Sequence, residues 1–274
     1  MRELVLVIID RPGSVPACLN AARHVAKSLM DPRIEVLHIR VDPISNLLPS
    51  EEVLTHEREA QRVHEESKRD AAVHQACLSW LSGSGIDAQS RFVWTDVEST
   101  IEEEVRQRGA EADFIIVSRP AKTRDLRGSR ILRTAVLATD RPILIVPCEG
   151  TATVWHSVAI LWTGDRATLK AVLNAMPLLA VASHVHVIAV CRESGGAILP
   201  LPRVLEGHDI RAEVRVIRPP SYRLGPSVLD VAHEIGADLL VMGAYTRYPI
   251  PEALAGGITR FMLAHTDLPL FVRH

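Results

Sequence analysis

The chain has 274 residues, 47% hydrophobic and 4% aromatic, and its 31 Lys and Arg against 33 Asp and Glu leave a net charge of −2. That length can bury one large core or two small ones. The near balance of charge gives no reason to expect an obligatory nucleic-acid or anionic-membrane partner, and no apolar run is long enough for a membrane span or a secretory leader.

The first apolar run, "ELVLVIID", predicts a strand over Leu4 to Ile9 that ends at Asp10, and "ACLNAARHVAKSL" behind it predicts a helix. Further strands are expected over Ile34 to Ile39, Ala88 to Val93, Phe114 to Ser118 and Ile143 to Val146. Between the second and third lies a long charged stretch whose Val53, Ala60, Val63, Ala71, Ala72, Cys77, Leu78 and Leu81 suit the apolar side of a helix. "CEGTATVW", Cys148 to Trp155, reads as a linker. Beyond it, strands are expected over Ser157 to Trp162, Val185 to Val190, Arg211 to Ile217, Leu239 to Gly243 and Leu270 to Arg273. These runs are continuous rather than alternating, as in a parallel sheet covered on both faces.

The chain also repeats itself. "ADFIIVSRP" from Ala112 matches "ADLLVMGAY" from Ala237, and "TDRPILIVP" from Thr139 matches "TDLPLFVRH" from Thr266. The expected organisation is therefore two α/β domains, residues 1–148 and 155–274. After its second strand the later copy has only "RESGGAILPLPRVLEGH", too short and too rich in Gly and Pro for the long helix.

The duplicated unit, "VIID" closing the first strand, the Ala-Asp strands, the glycine loop "GAYTRYPIPEALAGGITRFML" and the closing "P-x-L-x-V" strand together resemble the universal stress protein family in its tandem two-domain form. The resemblance implies two five-stranded parallel sheets with helices on both faces, the adenine nucleotide alpha hydrolase-like arrangement, joined through their last strands as an internal pseudo-dimer. It leaves open whether two chains then form a homodimer. In the ATP-binding members an Asp after the first strand contacts the nucleoside, and a Gly-x2-Gly-x9-Gly-Ser/Thr loop holds the phosphates. Glycines let the backbone approach the phosphate oxygens, and helix N-terminal amides donate to the anion.

Neither copy keeps the complete set. The first has Asp10 and a closing pair Gly128 and Ser129, with Ser118 and Ala121 where the first two glycines belong. In the second, Thr163 stands for the Asp, Gly243 and Gly256 match the first and third glycines, Thr246 replaces the second, and Gly257 replaces the hydroxyl residue. These eight positions, Asp10, Gly128, Ser129, Thr163, Gly243, Thr246, Gly256 and Gly257, are the candidate contacts for ATP or another adenine nucleotide. A turn at Gly256 and Gly257 and a capping role for Asp10 are the structural alternatives.

The remaining signals are plainer. The basic stretch Arg119 to Arg133 reads as a solvated loop, and His184 and His186 lack a third metal ligand. Glu102 to Glu104 follow Ser99 and Thr100 as at a helix start. Cys18, Cys77, Cys148 and Cys191 form no CxxC pair and read as reduced thiols of a cytoplasmic protein. No catalytic motif is present, so no catalytic residue is nominated. The expectation is a stress-response binding or regulatory protein; a slow nucleotide hydrolase on the same scaffold and a partner-binding protein without ligand are the alternatives.

Overall fold

A computed structural model describes residues 3–42, 56–84, 92–121, 125–148, 155–191, 203–244 and 257–274. Its first half runs β1 (Glu3–Ile8), α1 (Val15–Lys27), β2 (Pro32–Arg40), α2 (His56–Gly83), β3 (Phe92–Glu98), α3 (Ile101–Glu111), β4 (Phe114–Ser118), α4 (Leu126–Ala138) and β5 (Ile143–Val146). The second runs β6 (Ser157–Trp162), α5 (Arg166–Leu179), β7 (His184–Val190), α6 (Arg203–Gly207), β8 (Ala212–Ile217), α7 (Leu224–Glu234), β9 (Leu239–Gly243), α8 (Gly257–His265) and β10 (Leu270–Arg273).

The ten strands form one sheet in the order β3-β2-β1-β4-β5-β10-β9-β6-β7-β8. Each half is parallel throughout, and the halves meet where β5 and β10 pair antiparallel, Leu270 opposite Ile145 and Val272 opposite Ile143. The internal pseudo-dimer is therefore a continuous sheet with a two-fold relation about its centre. Helices α1, α2, α5 and α6 bury their apolar sides on one face and α3, α4, α7 and α8 on the other. The central strands show why their sequence does not alternate. Val5, Leu6, Val7 and Ile8 are all buried, because helices cover both faces.

Polar groups cross the seam as well. Arg273 donates to Asp140 at 2.7 Å, and Arg119 donates to the Leu268 carbonyl at 3.0 Å. Trp155, expected in a linker, is instead buried, its indole edge-on to the His24 ring of α1 at 4.6 Å. It pins the start of the second half to the first.

Three local expectations change. The third strand occupies Phe92–Glu98 rather than Ala88 to Val93, of which residues 88–91 lie outside the described residues. As an edge strand it has one partner and alternating exposure, so charged Asp96 and Glu98 fit within it. In α2 the buried residues are Val73 and Cys77, with Ala76 and Trp80 packed beside them; Ala60, Val63, Ala71, Ala72 and Leu78 are exposed. Ion pairs rather than an apolar stripe hold the preceding turns. Arg119, Arg127 and Arg130 of the basic stretch are engaged within the fold rather than solvated, while Arg133 is exposed and residues 122–124 lie outside the described residues. Arg127 pairs with Glu66 at 2.8 Å, and Arg130 forks onto Glu102 at 2.8 and 2.7 Å.

Among the described residues of the second half, the counterpart of α2 is the five-residue α6, which buries Leu205 in the shared core. Helix starts follow their caps, Thr100 for α3, Asp125 for α4 and Asp165 for α5. No described helix is long and apolar enough to cross a membrane.

Candidate functional site

In each half the strand order reverses beside the first strand, between β1 and β4 and between β6 and β9. A crevice at the carboxyl ends of the strands is expected there. Register makes the two places equivalent. Val5 lies opposite Phe114 as Val158 lies opposite Leu239, so Asp10 corresponds to Thr163 and Ser118 to Gly243.

At the first switch point Asp10 and Gly128, far apart in sequence, come together. A Cβ on Gly128 would lie 3.1 Å from Asp10 Oδ2 and 2.6 Å from Asp125 Oδ2. Only glycine leaves both carboxylates their room. Gly128 is not the first residue of its helix, since α4 begins at Leu126 with Asp125 as cap; Ser129 lies a residue further on and is exposed.

The crevice is filled from within. Asp125 accepts the Gly128 N–H at 2.9 Å through Oδ1 and the Ala121 N–H at 3.1 Å through Oδ2. Its carboxylate thus occupies both the first-turn amide of α4 and the Ala121 amide. Arg11 lays its guanidinium between the acids, with Nη1 donating to Asp10 Oδ2 at 3.2 Å and to Asp125. Nη2 donates to Ser118 Oγ at 2.8 Å, to the Arg119 carbonyl and to Cys148 Sγ at 3.1 Å. Five acceptors hold one side chain.

The two carboxyls respond in opposite directions. Burial raises the pKa of Asp10, with Asp125 adding to the rise and Arg11 opposing it. Burial also presses Asp125 upward, but the Gly128 and Ala121 amides and Arg11 outweigh it and hold that carboxyl below the ordinary range. Behind the site Arg69 of α2 donates to the Asp10 carbonyl at 2.9 Å.

The second switch point is built differently. Thr163 Oγ1 donates to Asp165 at 2.8 Å and lies 2.7 Å from Thr168 Oγ1, while Asp165 caps the Thr168 N–H at 2.8 Å. Gly164 turns the chain with a φ of 72°. Gly243 is required by packing, because a Cβ there would come 2.7 Å from the Thr168 backbone nitrogen. Gly257 opens α8, exposed and with free space where a Cβ would stand. Thr246 and Gly256 lie outside the described residues.

No family model and no curated protein matches this sequence. Solved structures do match its fold. A universal stress protein from Archaeoglobus fulgidus DSM 4304 superposes with a TM-score of 0.69 at 15% identity, covering 98% of this chain and 95% of that one. The fold is that of a tandem universal stress protein.

A functionally unknown Pseudomonas aeruginosa PAO1 protein shares this universal stress protein fold at TM-score 0.55 and 13% identity, with 99% and 92% coverage. So does the cytoplasmic domain of a prokaryotic cation chloride cotransporter, at 0.53 and 12%, with 99% and 95% coverage. At such identities the likeness is one of fold.

On this universal stress protein scaffold Asp10 and Gly128 meet at the first switch point and Thr163 and Gly243 lie at the second, beside Arg11, Asp125 and Asp165, which the sequence reading did not single out. Local signals for all three exist. Arg11 follows Asp10 directly, and Asp125 and Asp165 each stand three residues before the amide they cap, the spacing of a helix N-cap. Among the described residues no three His, Cys, Asp or Glu side chains converge as a metal would need. His186 is buried and faces Glu213 at 3.6 Å.

Removing the cap at the second switch point tests its structural weight. Asp165→Ala strips the acceptor from the Thr168 amide and from both threonine hydroxyls. It is expected to cost about 1 kcal/mol in urea denaturation, the usual worth of an N-cap. An unchanged midpoint would show that Asp165 is not holding α5 in solution.

Proposed function

We propose that the chain is a stress-response regulatory protein that acts by binding, and that its effector is an adenine nucleotide taken at the first switch point. The observation that carries this reading is the meeting of Asp10 with Gly128 at the carboxyl end of β1. A carboxylate can accept from ribose hydroxyls, and first-turn amides of α4 can donate to a phosphate, so the two ends of a nucleoside phosphate find partners in one crevice. The second switch point has no carboxylate in the place of Asp10, only the Thr163 hydroxyl. One nucleotide per chain is therefore the expected stoichiometry.

Occupancy has a route outward. Arg69 touches the Asp10 carbonyl, and Arg127 on α4 joins Glu66 on α2, so a shift at the site moves the long charged helix and the surface it presents. Helix α2 would then be the element that reports the effector to a partner.

Calorimetric titration of the full chain with ATP tests the reading, with Asp10→Asn as the companion variant because it keeps the volume and removes the charge. Binding at one site per chain, weakened at least about tenfold by Asp10→Asn, is the expected result, the scale of one charge-assisted hydrogen bond. Binding untouched by Asp10→Asn would move the site elsewhere, and none at millimolar ATP to either the native chain or a chain freed of Asp125 would remove the nucleotide from the account.

A further inference from the structure

The carboxylate of Asp125 and the guanidinium of Arg11 together have the outline of a bound ligand. The carboxylate sits on the Gly128 and Ala121 amides with an oxygen for each. Arg11 is counter-ion to both Asp125 and Asp10, and its second nitrogen is spent on Ser118, Arg119 and Cys148. An incoming phosphate needs the same amides and the same guanidinium. Two anions cannot share them, because each amide has one proton to give and the pair of charges would repel across a poorly hydrated crevice.

We infer that Asp125 is a resident competitor for the effector's phosphate, so that the first switch point is latched shut by the Asp125–Arg11 pair and opens when an anion displaces the carboxylate from the start of α4. This rests on the nucleotide reading of the same crevice, and adds to it a mechanism that sets the threshold at which the site responds. On opening, the Asp125 carboxylate leaves for solvent and the phosphate takes the Gly128 and Ala121 amides. Arg11 stays in place and exchanges one anionic partner for another while keeping Asp10. The depressed pKa of Asp125 accords with a carboxylate kept ionised by these amides and by Arg11 against the pull of burial.

The test is Asp125→Gly in the full chain. Glycine is itself an acceptable N-cap residue, so the helix start survives while the competing carboxylate is gone; a thermal unfolding curve beside the native chain confirms that the variant is folded. Both proteins are titrated with inorganic pyrophosphate and with ATP, following the Gly128 and Ala121 amide resonances by NMR. The latch predicts pyrophosphate binding at least about tenfold tighter in the variant, with both amides shifting, and ATP tightened to the same degree. Pyrophosphate tightened while ATP binds to neither protein would uphold the latch and discard the nucleotide. ATP bound by the native chain, dependent on Asp10 and no tighter in Asp125→Gly, would sink the latch and leave the nucleotide reading standing. A folded variant in which neither anion moves the Gly128 amide would overturn the latch outright.

Discussion

Arg11→Ala is expected to destabilise the chain by about 3 kcal/mol, the lower end of the cost of removing one partner from a buried ion pair. Arg11 makes five contacts, and its loss leaves Asp10, 3% exposed, and the Asp125 carboxylate without a shared counter-ion. At roughly 2–4 °C per kcal/mol for a chain of this size, the melting temperature should fall by about 6–12 °C. The Asp10 carboxyl, already raised by burial, should rise further and take up a proton, which limits the loss. Adding Asp10→Asn to the Arg11→Ala variant removes the stranded charge and should recover a large part of the deficit. A loss under about 1 kcal/mol would mean that Arg11 lies loose in water, as most surface ion pairs do.

Phe271→Ala is the second large effect, about 3–5 kcal/mol for truncating a fully buried aromatic side chain. Phe271 is completely buried in β10, opposite Leu144 across the antiparallel seam and Val241 on its other side, with its ring 6.2 Å from Phe114. The cavity would open where the two halves share one core, so neither half can lose its packing there without disturbing the other. Urea unfolding and calorimetry should show both proteins melting in a single transition, with the variant displaced to lower denaturant. Separate transitions, with only the later strands affected, would show that the continuous sheet does not couple the halves.

How far these features could be read from the sequence differs residue by residue. Ser157–Trp162, Leu239–Gly243 and Leu270–Arg273 are strands as expected, because a strand covered on both faces must be apolar throughout and its ends are marked by the first polar residues. Phe92–Glu98 lies further along the chain than the apolar run predicts, for the converse reason. An edge strand tolerates Asp96 and Glu98, and an apolar scan stops before it reaches them. The apolar side of α2 differs from the expected one because Glu66, Arg69 and Asp70 anchor that helix through charges, which carry no helical period in hydrophobicity. At the site, Asp10 and Gly128 stood out through the resemblance to the universal stress protein pattern, and the structure sets them side by side. Arg11 and Asp125 stayed hidden because a charged residue after a strand or before a helix looks the same in sequence whether it points to water or folds back into the crevice.

The antiparallel pairing of β5 with β10 also decides how the molecule can be approached. Strands of the first half run one way and those of the second run the other, so Asp10 and Thr163 stand on opposite rims of the slab. A body seated over one rim has its back to anything seated over the other. The carboxyl ends of the two parallel halves thus open in opposite directions, with the β5–β10 pairing between them.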